Sequence, residues 1–316
     1  MYLSISCPET IIEYITWKVG KQTMELKIEN ELLDAVISSA GAEMISLKTR
    51  KDGVERLWQA DPDVWGRHAP ILFPYTGKLR DGHYFYEGNE YKGGQHGFAR
   101  DMEHQPVEEA KDKVVFLLRS TEATRQKYPF DFELSSAYML DGNSITHKMT
   151  VKNTGKEDMR FGIGYHPAFI CPFDDKHDTE DYEISFDSPQ SPRIVKMENG
   201  LTLPESEWEK QAEFSKIQLT DHLFDNDSIC YTDLTAETMS LKEKGTGRGI
   251  TVGIKGYPYV LIWSKKTEKI KFVCIEPWRS VNDMKDSDCD WDNKPCASCL
   301  APLESYSTEI KITVDM

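Results

Sequence analysis

Three short segments each set one ionisable side chain among glycine, proline and aromatic neighbours. The first is Gly93-Gly94-Gln95-His96-Gly97-Phe98-Ala99-Arg100, where glycines around His96 let the backbone approach a ligand closely. The second is Gly162-Ile163-Gly164-Tyr165-His166-Pro167-Ala168-Phe169, with His166 at the end of an apolar stretch and pinned by Pro167. The third is Phe272-Val273-Cys274-Ile275-Glu276-Pro277-Trp278. Read as a strand, it puts Glu276 on the face of Ile270, Phe272 and Cys274, so that a carboxylate closes an apolar stripe. Such a carboxylate is costly to ionise, and its pKa is expected to rise. Trp278 offers a flat apolar surface on which a sugar ring can stack. Plainer readings stand beside these: His96 as a loop histidine, His166 as a core histidine bonded to a backbone carbonyl, Trp278 as core packing. A histidine and a carboxylate with pKa values pushed toward the working pH make a serviceable acid and base. No serine or cysteine nucleophile motif accompanies them.

The elements that must position these residues are strands. Phe132, Leu134, Tyr138 and Leu140 alternate onto one face, Asp141-Gly142 predicts a hairpin, and Ile145, Met149 and Val151 resume the alternation. Ile250, Val252 and Ile254 alternate, as do Ile270, Phe272 and Cys274, and Tyr306, Thr308, Ile310, Ile312 and Val314 form a last face. Short helices are expected at 121–127 and 205–214. A third is expected in the leader, opened by Pro8-Glu9-Thr10 and carrying Ile11, Ile12 and Ile15. Alternation begins at Met24, Leu26 and Ile28. Residues 1–23 therefore read as an N-terminal extension, and 24–316 as one all-β domain of stacked sheets.

Composition narrows the partners. The 316 residues carry 38 Lys+Arg against 53 Asp+Glu, a net charge of −15, which weighs against nucleic acid or an anionic membrane. Apolar runs such as 114–118 fall far short of the ~20 residues of a membrane helix. The N-terminus lacks the basic flank and apolar core of a secretory leader. Seven cysteines, an odd number with the first four scattered, fit a reduced, cytoplasmic setting. Cys296-Ala-Ser-Cys299 with Cys289 is one CxxC plus one cysteine, short of the paired spacing of a zinc site.

In this order, the three motifs resemble those of the aldose 1-epimerases, or galactose mutarotases. The run Pro70-Ile71-Leu72-Phe73-Pro74-Tyr75-Thr76-Gly77-Lys78, with Gly41-Ala-Glu-Met-Ile-Ser-Leu, is similar to the LacX-type branch. The resemblance covers residue 24 to the C-terminus. It implies a galactose-mutarotase-like supersandwich of mainly antiparallel strands. It also implies interconversion of the α and β anomers of an aldose, galactose or glucose for example, without cofactor or metal. By the same resemblance Glu276 is the general base, His166 the general acid, and His96 a second histidine binding the sugar near its ring oxygen.

Other positions follow from it less directly. A sugar-binding aspartate matches Asp221 in Asp221-His222-Leu223-Phe224, with Asp225 and Asp227 close behind. A substrate-contacting arginine falls near Arg80, with Lys78 competing. As base and acid, Glu276 is expected ionised and His166 protonated in the free protein, on opposite sides of the sugar. Two other readings stay open. One is a hexose-6-phosphate 1-epimerase, with Arg67, Lys78, Arg80 and Arg100 as candidate anion ligands. The other is a non-catalytic carbohydrate-binding or sensing protein, which has no need of the Glu276–His166 pair. The expected partner is a small-molecule sugar, and the expected state a monomer or weak homodimer.

Overall fold

Alternating apolar residues give strands, and one buried face each gives stacked sheets. The computed structural model describes residues 23–295 and 297–315. The leader helix expected around Ile11, Ile12 and Ile15 lies outside the described residues, as do Cys7 and Cys296. A nine-stranded antiparallel sheet runs from Phe214–Gln218 at one edge to Gln105–Glu109 at the other, with Ser305–Asp315 and Ser144–Asn153 at its centre. The predicted hairpin is there: Asp141 pairs with Ser144 across Gly142 and Asn143, and Gly142 supplies a positive φ of 55°. A three-stranded sheet is built from Glu25–Glu29, Leu33–Ser38 and Glu43–Thr49.

The eight-stranded sheet carries the site. Its middle strands are Ile229–Thr232, Tyr259–Trp263, Phe272–Trp278 and Gly164–Tyr165, and Ala168–Ile170 also pairs with Phe272–Trp278. Its inner face contributes Val260, Ile262, Val273 and Ile275 to the core that also holds Val252, Ile310 and Ile312 of the nine-stranded sheet. Its outer face bears Leu72, Leu261 and Trp278 in one cluster and Ala168, Phe272 and Cys274 in another. Phe272–Trp278 is thus buried on both faces, as a central strand must be. The fold is all-β, as the alternation implies. No helix among the described residues is long and apolar enough to cross a membrane.

Two local expectations change. Residues 205–214 do not form a helix. They make a single 3₁₀ turn, Glu205–Glu207, followed by the strand Glu209–Lys210 and the start of Phe214–Gln218. Glu205, Ser206 and Glu207 are all exposed, so no apolar face rewards a helix, and the Trp208 indole donates to the Leu203 carbonyl at 2.8 Å. By contrast, Glu122–Arg125 is helical, because Thr121 and Thr124 cap it reciprocally. Ile270 precedes the strand and lies in the main core, not on the outer face with Phe272 and Cys274.

Candidate active site

Strand alternation sends Cys274, Glu276 and Trp278 outward with Phe272, and Glu276 is the one carboxyl among them. It sits in register opposite Leu261, 1% exposed. His166 occupies the break between Gly164–Tyr165 and Ala168–Ile170, its N–H donated to the Pro70 carbonyl at 3.1 Å. The chain therefore returns His166 to the flank of the strand that bears Glu276. Its Nε2 lies 3.2 Å from Glu276 Oε2.

His96 reaches the same place from a loop. Its N–H donates to the Gly77 carbonyl at 2.7 Å, and the Gly77 N–H donates to His96 Nδ1 at 3.0 Å. Accepting at Nδ1 fixes the neutral tautomer with a hydrogen on Nε2, a donor suited to a sugar oxygen. The imidazole stands edge-on to His166, with centroids 5.6 Å apart, and to Trp278 at 5.3 Å. The run 70–78 thus has a physical purpose: its backbone holds the His96 loop. Gly97 packs directly on that backbone: its φ is +69° and a Cβ there would stand 2.1 Å from the Phe73 carbonyl oxygen. Gly97→Ala is expected to cost about 1–3 kcal/mol of stability from strain and to displace His96. Gly94→Ala, where a Cβ meets nothing within 4 Å, should be tolerated. Thermal unfolding and sugar titration of both variants check this, and equal behaviour of the two would contradict it.

These residues line an open cleft of about 460 Å³. Trp65 stacks on His166 with centroids 4.8 Å apart and planes 25° off parallel, and Trp263 meets the same imidazole edge-on at 5.7 Å. Trp278 forms another wall. Aromatic walls around two histidines and a carboxylate suit a ligand with apolar faces and polar edges, such as a sugar ring.

Burial sets the charge states. The Glu276 carboxyl is held well above the usual range by burial and then by the Asp227 charge, while Trp278 pulls weakly the other way. His166 is pushed down to about 3 by burial and then by the Arg100 charge. His96 also lies well below the usual imidazole value, through burial and then His166. This reverses the expected free-protein state of an ionised Glu276 and a protonated His166. A dry site disfavours each lone charge, so the pair holds one proton between two groups in contact. Nor do the two stand on opposite sides of a ligand: they lie side by side.

The other expected residues divide. Asp227, with a φ of +76°, lines the cleft. Asp221 does not. Its carboxylate accepts from the Thr179 hydroxyl and the Ile270 N–H at 3.0 Å, which ties two loops together. Asp225 is engaged with His222 and Lys266. Arg80 is also absent from the lining: its guanidinium donates to the Ser287 carbonyl, and its N–H to Asp283 Oδ2 at 2.8 Å. Lys78 reaches the Asn199 carbonyl instead. The loop after Trp278 supplies part of one wall, since Asn282 accepts from the Lys78 N–H at 2.7 Å and lines the cleft. Arg67 and Arg100 line it too. Sequence reasoning missed Trp65, Trp263, Asn282 and Lys265. For Trp263 a trace existed, because it alternates with Leu261 onto the outer face.

The aldose 1-epimerase family profile matches residues 24–313. The chain is 31% identical over 299 residues to the plasmid-encoded protein LacX of Lactococcus lactis subsp. lactis, covering 92% of this chain and 99% of that one. It superposes on a galactose mutarotase related enzyme from Lactobacillus acidophilus with a TM-score of 0.89 and 34% identity, over 93% of this chain and 98% of that one. A galactose mutarotase-like protein from Lactobacillus casei ATCC 334 gives 0.84 and 28%, over 92% and 100%. The fold is the galactose mutarotase-like sandwich, and the chain belongs to the aldose 1-epimerase family.

Proposed function

We propose that this protein interconverts the α and β anomers of an aldose, with Glu276 and His166 as its acid–base pair. The observation that carries this is the 3.2 Å contact between Glu276 Oε2 and His166 Nε2 in an aromatic-walled cleft. The two oxygens that must exchange a proton, the C1 hydroxyl and the ring oxygen, share one carbon, so adjacent groups suit them. With the pair's proton on His166, Glu276 takes the C1 hydroxyl proton as the C1–ring oxygen bond breaks. The ring oxygen then receives the His166 proton, leaving an open-chain aldehyde. Rotation about the C1–C2 bond and reversal of the transfers close the ring on the other face. His96 donates from Nε2 to the sugar, Trp278 packs on it, and Asp227 takes the hydroxyl-binding role expected of Asp221.

Polarimetry tests this: a freshly dissolved anomer should reach its equilibrium rotation faster with protein than without. Protons alone move in these steps, so exhaustive chelation should leave the rate intact. A loss on EDTA treatment that a divalent ion restores would overturn the assigned roles.

A hexose 6-phosphate is the second reading, favoured by the presence of Arg67, Arg100 and Lys265 along the same cleft. Arg67 is already engaged with Asp101, and Arg100 donates to the Gln95 carbonyl at 2.7 Å, which favours the unphosphorylated aldose. The free state of Cys171, Cys230, Cys274, Cys289 and Cys299 supports a reducing, cytoplasmic setting.

A further inference from the structure

Beneath the acid–base pair lies a third group that the reaction does not use. Cys274 sits two residues before Glu276 on the same face of the strand, fully buried and free. A ring nitrogen of His166, Sγ of Cys274 and a carboxylate oxygen of Glu276 all lie within 4.8 Å of one another. We infer that these three side chains form a binding site for zinc, and that zinc bound there blocks the cleft.

The chemistry of the three groups matches the ion. Nitrogen, sulfur and oxygen donors are the set zinc takes, and three protein ligands with a fourth position open describe many zinc sites in clefts. Zinc–ligand bonds of ~2.0–2.3 Å put tetrahedral donors roughly 3.5 Å apart. The 3.2 Å His166–Glu276 contact already meets that spacing, and small side-chain rotations bring Cys274 in. Charge completes the match. One dication, one thiolate, one carboxylate and one neutral imidazole sum to zero, so the ion relieves a buried site that tolerates no lone charge. Binding releases to water the thiol proton and the proton the pair shares. A second cluster, Asp174, His177 and Glu243, lacks this character, because Arg248 already neutralises it at 2.7 Å from Asp174 Oδ2.

Occupying Glu276 and His166 removes both base and acid, so inhibition follows if the reading of the reaction above holds. Binding itself does not depend on that reading. The test therefore has two arms. Cobalt(II), as a spectroscopic substitute for zinc, is titrated into the full-length protein and into Cys274→Ala. The parent should show saturable binding with a thiolate-to-cobalt charge-transfer band that zinc displaces, and the variant should lack the band. In the second arm, zinc should slow anomer exchange in the parent, and Cys274→Ala should need at least ~10-fold more zinc for the same inhibition. Absence of the charge-transfer band in the parent would overturn the site, whatever the enzyme assay gives. Equal zinc sensitivity of an active Cys274→Ala variant would overturn the role of its sulfur.

Discussion

Glu276→Gln is expected to slow anomer exchange by at least ~100-fold, the low end of what a positioned general base contributes. The amide keeps the shape of the side chain and a hydrogen-bonding atom near His166 Nε2, now 3.2 Å from the carboxylate. It cannot take a proton from the C1 hydroxyl. Sugar affinity should change much less, because His96, Trp278 and Asp227 remain in the cleft. Stability should not suffer. Burial holds the Glu276 pKa well above its usual value, so ionisation at neutral pH opposes folding, and a neutral amide removes that cost. A rate loss with intact folding and binding separates a catalytic pair from a binding module. Parent-like turnover in Glu276→Gln would leave the carboxylate without a role in the reaction.

The rate should be bell-shaped in pH, with its acid limb displaced far below the usual imidazole range. At the working pH the pair holds one proton. Acid adds a second, giving neutral Glu276 and cationic His166, so the base is lost. Alkali removes the last one, so the acid is lost. Burial lowers His166 to about 3, which sets where the second proton enters. Burial and Asp227 raise Glu276, which moves the departure of the last proton upward. The two limbs belong to the pair rather than to either residue. The kcat/KM profile, which reports the free protein, should therefore stay flat between about pH 5 and 7, where an ordinary histidine titrates. An NMR titration of the His166 ring nitrogens should show no protonation in that window. A limb near the ordinary imidazole value would show that water or ligand solvates the pair.

What the sequence disclosed and what it hid follow one physical line. Local periodicity was legible. The Asp141–Ser144 hairpin, the face of Tyr306 to Val314, and the outward set of Phe272, Cys274, Glu276 and Trp278 all come from alternation within one strand. His96, His166 and Glu276, each singled out by its motif, line one cleft. Alternation failed where a strand ends: Ile270, outside Phe272–Trp278, turns into the main core. Loop register failed as well. Asp221 and Asp227 are six residues apart in one acidic stretch, and only the left-handed backbone at Asp227 and the Thr179 and Ile270 contacts of Asp221 separate their roles. The charge states were hidden because they depend on distant chain segments. Trp65, Trp263, Asp227 and Arg100 surround the pair from four separate places, and their combined burial and charge decide where the proton sits.

NMR exchange spectroscopy tests the central claim most directly, because at equilibrium it reads the α-to-β interconversion itself. The parent protein and Glu276→Gln are added in turn to an equilibrated free aldose, over a panel that includes galactose, glucose and their 6-phosphates. Exchange cross-peaks between the two anomeric protons should appear with the parent and vanish with the variant, and should be stronger for the free sugars. A parent that leaves every sugar of the panel at its spontaneous rate would contradict the catalytic reading and leave a protein that binds carbohydrate without transforming it.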